Sequence, residues 1–140
     1  MKKALVLTNG LYQTSDAKTA HGLVRGSERF LIAGIIDNTQ TANKDAGELL
    51  DSTHRNIPVF ADLAAALSTI KDADTLIIGV ATVGGKLPVE MLVIIKEAIS
   101  KGLSIVNGLH DYLNEHADLV ELAQQKNCSL TDIRKPKKRE

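Results

Sequence analysis

The sequence predicts a Rossmann-like α/β domain, a doubly wound and mainly parallel sheet of five or six strands. Three features of the chain point there. Short apolar runs alternate with stretches of helical period, which is the pattern of strands joined by right-handed crossovers. The runs are continuous rather than alternating, as strands buried on both faces are. Polar, glycine-bearing segments follow them, where an open parallel sheet gathers its ligand-binding loops.

Ala4-Leu5-Val6-Leu7 is the first strand, closed by Asn9-Gly10. Ser15 or Asp16 caps a helix over Ala17 to Arg25, with Gly26 as its stop. Phe30 to Ile36 is the second strand, ended by Asp37-Asn38. Thr39 to Asn56 is polar, with a short helix at Asp45 to Leu50, and is expected to be the least regular and most mobile part of the chain. Ile57-Pro58-Val59-Phe60 suits an edge strand because proline cannot donate to a central ladder. Asp62 caps a helix whose Leu63, Ala66, Leu67 and Ile70 share one face. Thr75 to Val80 is the fourth strand, and Pro88 opens a helix lined by Met91, Ile94, Ile95, Ala98 and Ile99 and ended by Gly102. Leu103 to Val106, a helix from His116 to Lys126, and Ser129 to Ile133 complete the series. Residues 1–133 form the domain, and 134–140 (Arg-Lys-Pro-Lys-Lys-Arg-Glu) read as a charged exit tail.

At 140 residues the chain fits one domain able to bury roughly two thirds of its unfolded surface. Seventeen basic and seventeen acidic side chains give zero formal charge, and aromatics are 3% with no tryptophan. Neither the electrostatics nor the stacking surfaces of a nucleic-acid binder are present. Cys128 is the only cysteine, which excludes an intrachain disulfide and a cysteine-based zinc site. His54 and His116 sit in polar contexts without ligand spacing, so no metal is expected. No apolar run reaches the roughly 18 residues of a membrane span, and the run after Met1-Lys2-Lys3 is too short for a signal peptide. The default expectation is a cytoplasmic protein with no membrane partner.

Candidate chemistry sits after the strands. The first turn, Asn9 to Thr14, carries the single glycine Gly10, so the G-x-G-x-x-G dinucleotide fingerprint is absent. Lys18-Thr19 has the ending of a P-loop without its glycines and is not one. Lys18, His21, Gly22 and Arg25 share one face of the first helix, opposite Ala20, Leu23 and Val24. That face is either an anion site, with Thr19 at the helix start, or the solvated side of an amphipathic helix. Gly22 costs a helix about 1 kcal/mol relative to alanine, which leads us to expect a close approach there. Asp37 stands where Rossmann domains place the acid that binds a ribose, and equally suits a turn beside Asn38. Gly84 and Gly85, before Lys86, form either an anion-accepting concavity or ordinary turn chemistry. Asn107-Gly108-Leu109-His110-Asp111 adds titratable groups at the sheet edge. His110 is the candidate acid, base or donor near neutral pH, and Asp111 is either a ligand group or the cap of the next helix.

Lys18 to Gly26, Asp45-Ala46-Gly47-Glu48, Ile57 to Phe60, Asn107 to Asp111 and Asp132-Ile133-Arg134-Lys135-Pro136 together resemble a known family. It is the N-terminal Rossmann-like domain of proteins long labelled as of unknown function and linked to D-glutamate N-acetyltransferases. The resemblance implies a second, P-loop domain after the Arg-Lys-Pro segment, absent from this chain, that would hold acetyl-CoA or a nucleotide. It also implies that this chain alone is not a complete transferase.

The expected function is therefore binding of a small anionic metabolite or nucleotide-like ligand. Lys18, Thr19, His21 and Arg25 would supply charge and donors, and Gly10, Asp37, Gly84, Gly85, Asn107, Gly108 and Asp111 would shape and line the site. His110 is its candidate catalytic group. Two other classes remain open: an assembly module that pairs with the P-loop domain or with a second copy as a homo-oligomer, and an NAD- or CoA-binding domain of an oxidoreductase or ligase.

Overall fold

The computed structural model describes residues 1–134. Lys135 and Pro136 of the family-like segment, and the rest of the expected tail, lie outside the described residues. Six strands form one sheet: β1 (Lys2–Leu7), β2 (Phe30–Ile36), β3 (Val59–Phe60), β4 (Thr75–Ile78), β5 (Ser104–Asn107) and β6 (Leu130–Asp132). Every neighbouring pair is parallel, in the order β3-β2-β1-β4-β5-β6. Among the described residues five α-helices connect them: α1 (Lys18–Arg25), α2 (Ala46–Asp51), α3 (Leu63–Thr69), α4 (Val89–Ser100) and α5 (Ala117–Lys126). The chain moves one way from β1 to β2 and the other from β4 to β5. Right-handed crossovers therefore place α1 and the α4–α5 pair on opposite faces of the sheet.

Burial follows the apolar runs. Ala4, Leu5, Val6 and Leu7 of β1 have no exposure, and Leu76, Ile77 and Ile78 of β4 are at most 4% exposed. These two strands are the centre of the sheet. The β3 strand keeps to an edge, as its proline requires, with the Pro58 carbonyl still accepting from Ile35 N at 3.0 Å. At the centre of β2, a Cβ on Gly34 would lie 2.6 Å from the Phe60 ring, so the glycine makes room for the β3 aromatic.

Caps set the helix starts. Asp62 accepts from Ala65 N at 2.8 Å to open α3, and Asp45 accepts from Glu48 N at 3.0 Å to open α2. Thr14, not Ser15 or Asp16, caps the 3-10 turn at Ser15–Ala17 that leads into α1. The segment from Thr39 to Asn56 differs from the mobile stretch expected. Asp45 also accepts from Arg55 N at 3.0 Å and Ile57 N at 2.7 Å, and Tyr12 Oη donates to the Ala46 carbonyl at 2.6 Å. One buried carboxylate pins three points of the loop. Among the described residues no helix is long and apolar enough to cross a membrane.

Candidate functional site

The strand order reverses between β1 and β4, and open α/β sheets bind ligands outside the carboxyl ends of strands at such a point. A cleft of about 420 Å³ opens there. Ser15, Asp16, Lys18 and Thr19 come from the α1 entry, Thr82 and Gly85 from the turn after β4, and Gly108, Leu109 and His110 from the turn after β5. Ile133 and Arg134 close it beyond β6, over a floor of Ile77, Ile78 and Val106.

Helix α1 reaches this position because Gly79, just past β4, lets it. A Cβ on Gly79 would lie 2.4 Å from Val6 Cγ1 and 3.0 Å from Ala20 Cβ. Ala20 N donates to the Gly79 carbonyl at 3.1 Å, and Ala81 N donates to the Asp16 carbonyl at 2.8 Å. The start of α1 is thus stitched to the exit of β4. The close approach expected at Gly22 is found here instead: a Cβ on Gly22 would meet nothing within 4 Å.

The double-glycine turn takes left-handed backbone, with φ of 65° at Gly84 and 71° at Gly85. Its amides are partly committed, since Gly85 N donates to Thr82 O at 3.0 Å and Lys86 N to Val83 O at 3.4 Å. The anion-accepting concavity expected there is correspondingly reduced; Gly85 lines the cleft, while Gly84 and Lys86 do not.

Asp111 and Asn107 hold the two turns together rather than facing the cleft. Asp111 N donates to Gly85 O at 3.1 Å, and its carboxylate accepts from Leu87 N at 2.8 Å and pairs with His116 Nε2 at 2.7 Å. Burial pushes this carboxyl up, but the Leu87 amide and His116 outweigh it and hold it below the usual range. Buried Asn107 donates to the Asp111 carbonyl at 2.9 Å and to Asp132 Oδ1 at 3.0 Å, and accepts from Leu109 N at 3.1 Å. Asp111 does not cap the turn that follows. Asp132 does so from β6, accepting from Leu113 N at 2.8 Å and Asn114 N at 3.1 Å.

Four expected site residues lie elsewhere. His21 Nε2–H donates to the Tyr12 carbonyl, and its ring meets Tyr12 edge-on with centroids 5.3 Å apart. Arg25, a turn further along α1, is exposed and outside the cleft. Gly10 takes φ of 89° in the β1–α1 loop beside Asn38. Asp37 is only 7% exposed, and its oxygens accept from Thr8 Oγ1 at 2.7 Å, Tyr12 N at 3.0 Å and Thr41 Oγ1 at 2.6 Å. On α2 and its exit, the ligand atoms of Asp45, Glu48 and His54 lie within 4.8 Å of one another. The buried Asp45 carboxylate already accepts three backbone amides, and exposed His54 pairs with Glu48 at 3.1 Å.

Sequence reasoning missed Ser15, Asp16, Thr82 and Arg134, which reach the cleft by tertiary placement. Among the described residues neither Lys18 nor Arg134 enters an ion pair, and the His110 ring makes no hydrogen bond. The walls therefore present two cations, the Ser15 and Thr19 hydroxyls, one imidazole and the single acid Asp16 above an apolar floor, while the Thr82 hydroxyl donates to the Lys86 carbonyl. Such a site can dock an anion by charge-assisted hydrogen bonds and offer a proton donor or acceptor beside it. A larger hollow of about 540 Å³, bordered by Lys2, Arg29, Thr75 and Ser104, lies at the opposite, amino ends of the strands.

Fold and cleft define a Rossmann-like domain with its open crevice at the carboxyl edge. Residues 39–136 match the family described as a domain of unknown function (DUF1611_N), a Rossmann-like domain, and the chain belongs to that family. A D-glutamate N-acetyltransferase from Pseudoalteromonas sp is 48% identical over 64 residues, which are 46% of this chain and 19% of that protein. One from Tritonibacter scottomollicae is 38% identical with the same shares. The crystal structure of a DUF1611 family protein from Anabaena variabilis superposes with a TM-score of 0.87 at 29% identity, over 99% of this chain and 39% of that one. S. aureus homoserine dehydrogenase, with a TM-score of 0.54 at 13% identity over 94% of this chain and 33% of its own, shares the fold. The matched stretch is thus about a fifth of the curated relatives, and the chain spans well under half of the Anabaena protein.

Proposed function

We propose that this domain is the N-terminal, ligand-binding part of a D-glutamate N-acetyltransferase-like protein, and that its carboxyl-edge cleft binds a small anionic metabolite. The observation that carries this reading is the convergence of Lys18, Thr19, His110 and Arg134 on one cleft, with neither cation engaged in an ion pair among the described residues. Lys18 and Arg134 supply the positive charge, and the hydroxyls of Ser15 and Thr19 supply directional bonds, the Thr82 hydroxyl being given to the Lys86 carbonyl. His110 orients the ligand or exchanges a proton with it. Asp16 favours a ligand that brings an ammonium group beside its carboxylates, which D-glutamate does. Acetyl transfer itself belongs to the whole protein, of which this domain corresponds to a part; acetyl-CoA or a nucleotide would be held by the remainder, a P-loop domain, against which this domain packs.

Calorimetric titration with D-glutamate and with other acidic amino acids tests the reading. Lys18→Ala and His110→Ala each weaken binding about tenfold, equivalent to about 1.4 kcal/mol, while thermal stability stays nearly unchanged because both side chains are exposed. Unfolding of both variants, or undiminished binding, overturns it.

A further inference from the structure

In dinucleotide-binding Rossmann domains the β1–α1 turn offers its backbone to the pyrophosphate, and an acid at the end of β2 holds the adenosine ribose. This chain keeps the acid and has turned it inward. Asp37 is buried, and Thr8, Tyr12 and Thr41 occupy both of its oxygens. Where a short glycine-rich turn would run, a longer loop folds on itself. Leu11 N donates to Thr8 O, Thr14 N to Leu11 O and Ala17 N to Thr14 O, all between 2.9 and 3.2 Å. Tyr12 fills the space beneath, 1% exposed, with its hydroxyl on the Ala46 carbonyl and its own carbonyl taken by His21. The residues present therefore do not fit a dinucleotide seated in that way: the Tyr12 amide and both Asp37 oxygens are spent on one another, and the Leu11 and Thr14 amides on carbonyls of the loop itself.

We infer that a Tyr12–Asp37–Thr41 latch occupies the ribose-binding acid of the adenosine half, so that no nicotinamide dinucleotide seats its adenosine there and ligand binding is confined to the half bounded by α1 and β4 to β6. A hollow of about 240 Å³ lined by Asn9, Asp37 and Asp62 remains at the latched edge. The latch ties the end of β1, the end of β2 and the entry to α2 through the chain's own groups. It thereby fixes the loop feeding α1, and with it the position of Lys18 and Thr19. Ligands admitted to the remaining half are recognised without a nucleoside.

Backbone amide NMR of the chain titrated with NAD+ and NADP+ to about 1 mM, where an interaction worth about 4 kcal/mol would register, tests this. The expected result is no saturable shift at the Thr8, Tyr12, Asp37 and Thr41 amides. Shifts confined to Lys18, Gly85 and His110 also support it, because they place an anionic group in the other half with the latch closed. Tyr12→Phe should melt at a lower temperature and still show no saturable shift at the Thr8, Asp37 and Thr41 amides. Saturable shifts at the latch amides, weakened fivefold or more by Asp37→Asn, overturn the inference whether or not D-glutamate binds.

Discussion

Thr8 Oγ1 donates to Asp37 Oδ1 at 2.7 Å, joining the residues that follow β1 and β2 through a hydroxyl with no exposure and a carboxylate with almost none. Thr41 Oγ1 reaches the other oxygen at 2.6 Å. A hydrogen bond to a buried charge contributes about 1.5–3 kcal/mol, and losing a donor leaves that charge undersolvated. Thr41→Val should therefore lower unfolding free energy by about 2 kcal/mol with little change in volume. Urea denaturation reads this as a lower midpoint at unchanged slope. A loss below about 0.5 kcal/mol, the scale of ordinary surface changes, would mean that water replaces the threonine.

Two glycines near α1 should respond with opposite signs. Gly22 is helical and open, so Gly22→Ala should stabilise by about 0.4–1 kcal/mol. At Gly79 the added methyl meets Val6 Cγ1 at 2.4 Å and Ala20 Cβ at 3.0 Å, both in the central core. Gly79→Ala should cost about 1–3 kcal/mol of overpacking, and because Ala20 leans on that position it should also displace the α1 entry. Thermal melts of the two variants check the pair.

What the chain made legible follows from the range of the forces involved. Strands β1 and β4 are apolar on both sides, and Asp45 and Asp62 cap helices within three residues of themselves, so local pattern suffices. Lys18, Thr19, Gly85, Gly108 and His110 line one cleft because a parallel sheet delivers all its post-strand turns to one edge. Arg134 and Thr82 could not be read that way, since their place depends on β5 and β6 lying beyond β4. The inward turn of Asp37 is decided by Thr8, twenty-nine positions away, and by the Tyr12 amide, twenty-five away. Asp132 likewise caps a turn eighteen and nineteen residues upstream, an interaction with no local signature. Gly79 looked like one more strand residue; only the seated helix shows why it lacks a side chain.

Acid should loosen the cleft's supports. Burial raises the Asp132 carboxyl, but Asn107, Asn114 and the Leu113 amide outweigh it and hold it below its ordinary 3.8, as Leu87 and His116 do for Asp111. A carboxyl depressed in the folded state stabilises above its unfolded value and loses that contribution as pH falls through its folded value. Both contributions are therefore complete above about pH 5 and fade below pH 3.8. Asp132→Asn should lower stability at neutral pH and flatten its decline between about pH 5 and pH 2. Denaturation midpoints across that range decide it, and a variant with the wild-type slope would assign the acid sensitivity elsewhere.

At alkaline pH the sensitive group is the latch tyrosine. Burial pushes the Tyr12 phenol from 10.0 up to about 12; Arg55 and Arg25 draw it back, while Asp45 and Asp51 add to the rise. The folded state therefore prefers the neutral phenol, whose hydroxyl must keep its proton to donate to Ala46 O at 2.6 Å. Because the folded value lies above the unfolded one, this contribution is complete below pH 10 and is lost as pH climbs from 10 toward 12. Tyr12→Phe removes the hydrogen bond, costing about 1 kcal/mol at neutral pH, and removes the titration with it. Its melting temperature should start lower than wild type and fall less steeply between pH 10 and pH 12. In a Tyr112→Phe background, phenolate absorbance then reports Tyr12 alone and should appear near pH 12 or with unfolding. Phenolate forming at the ordinary pH of 10 in a folded chain would show the Tyr12 pocket open to water, and with it the loop that holds α1 in place.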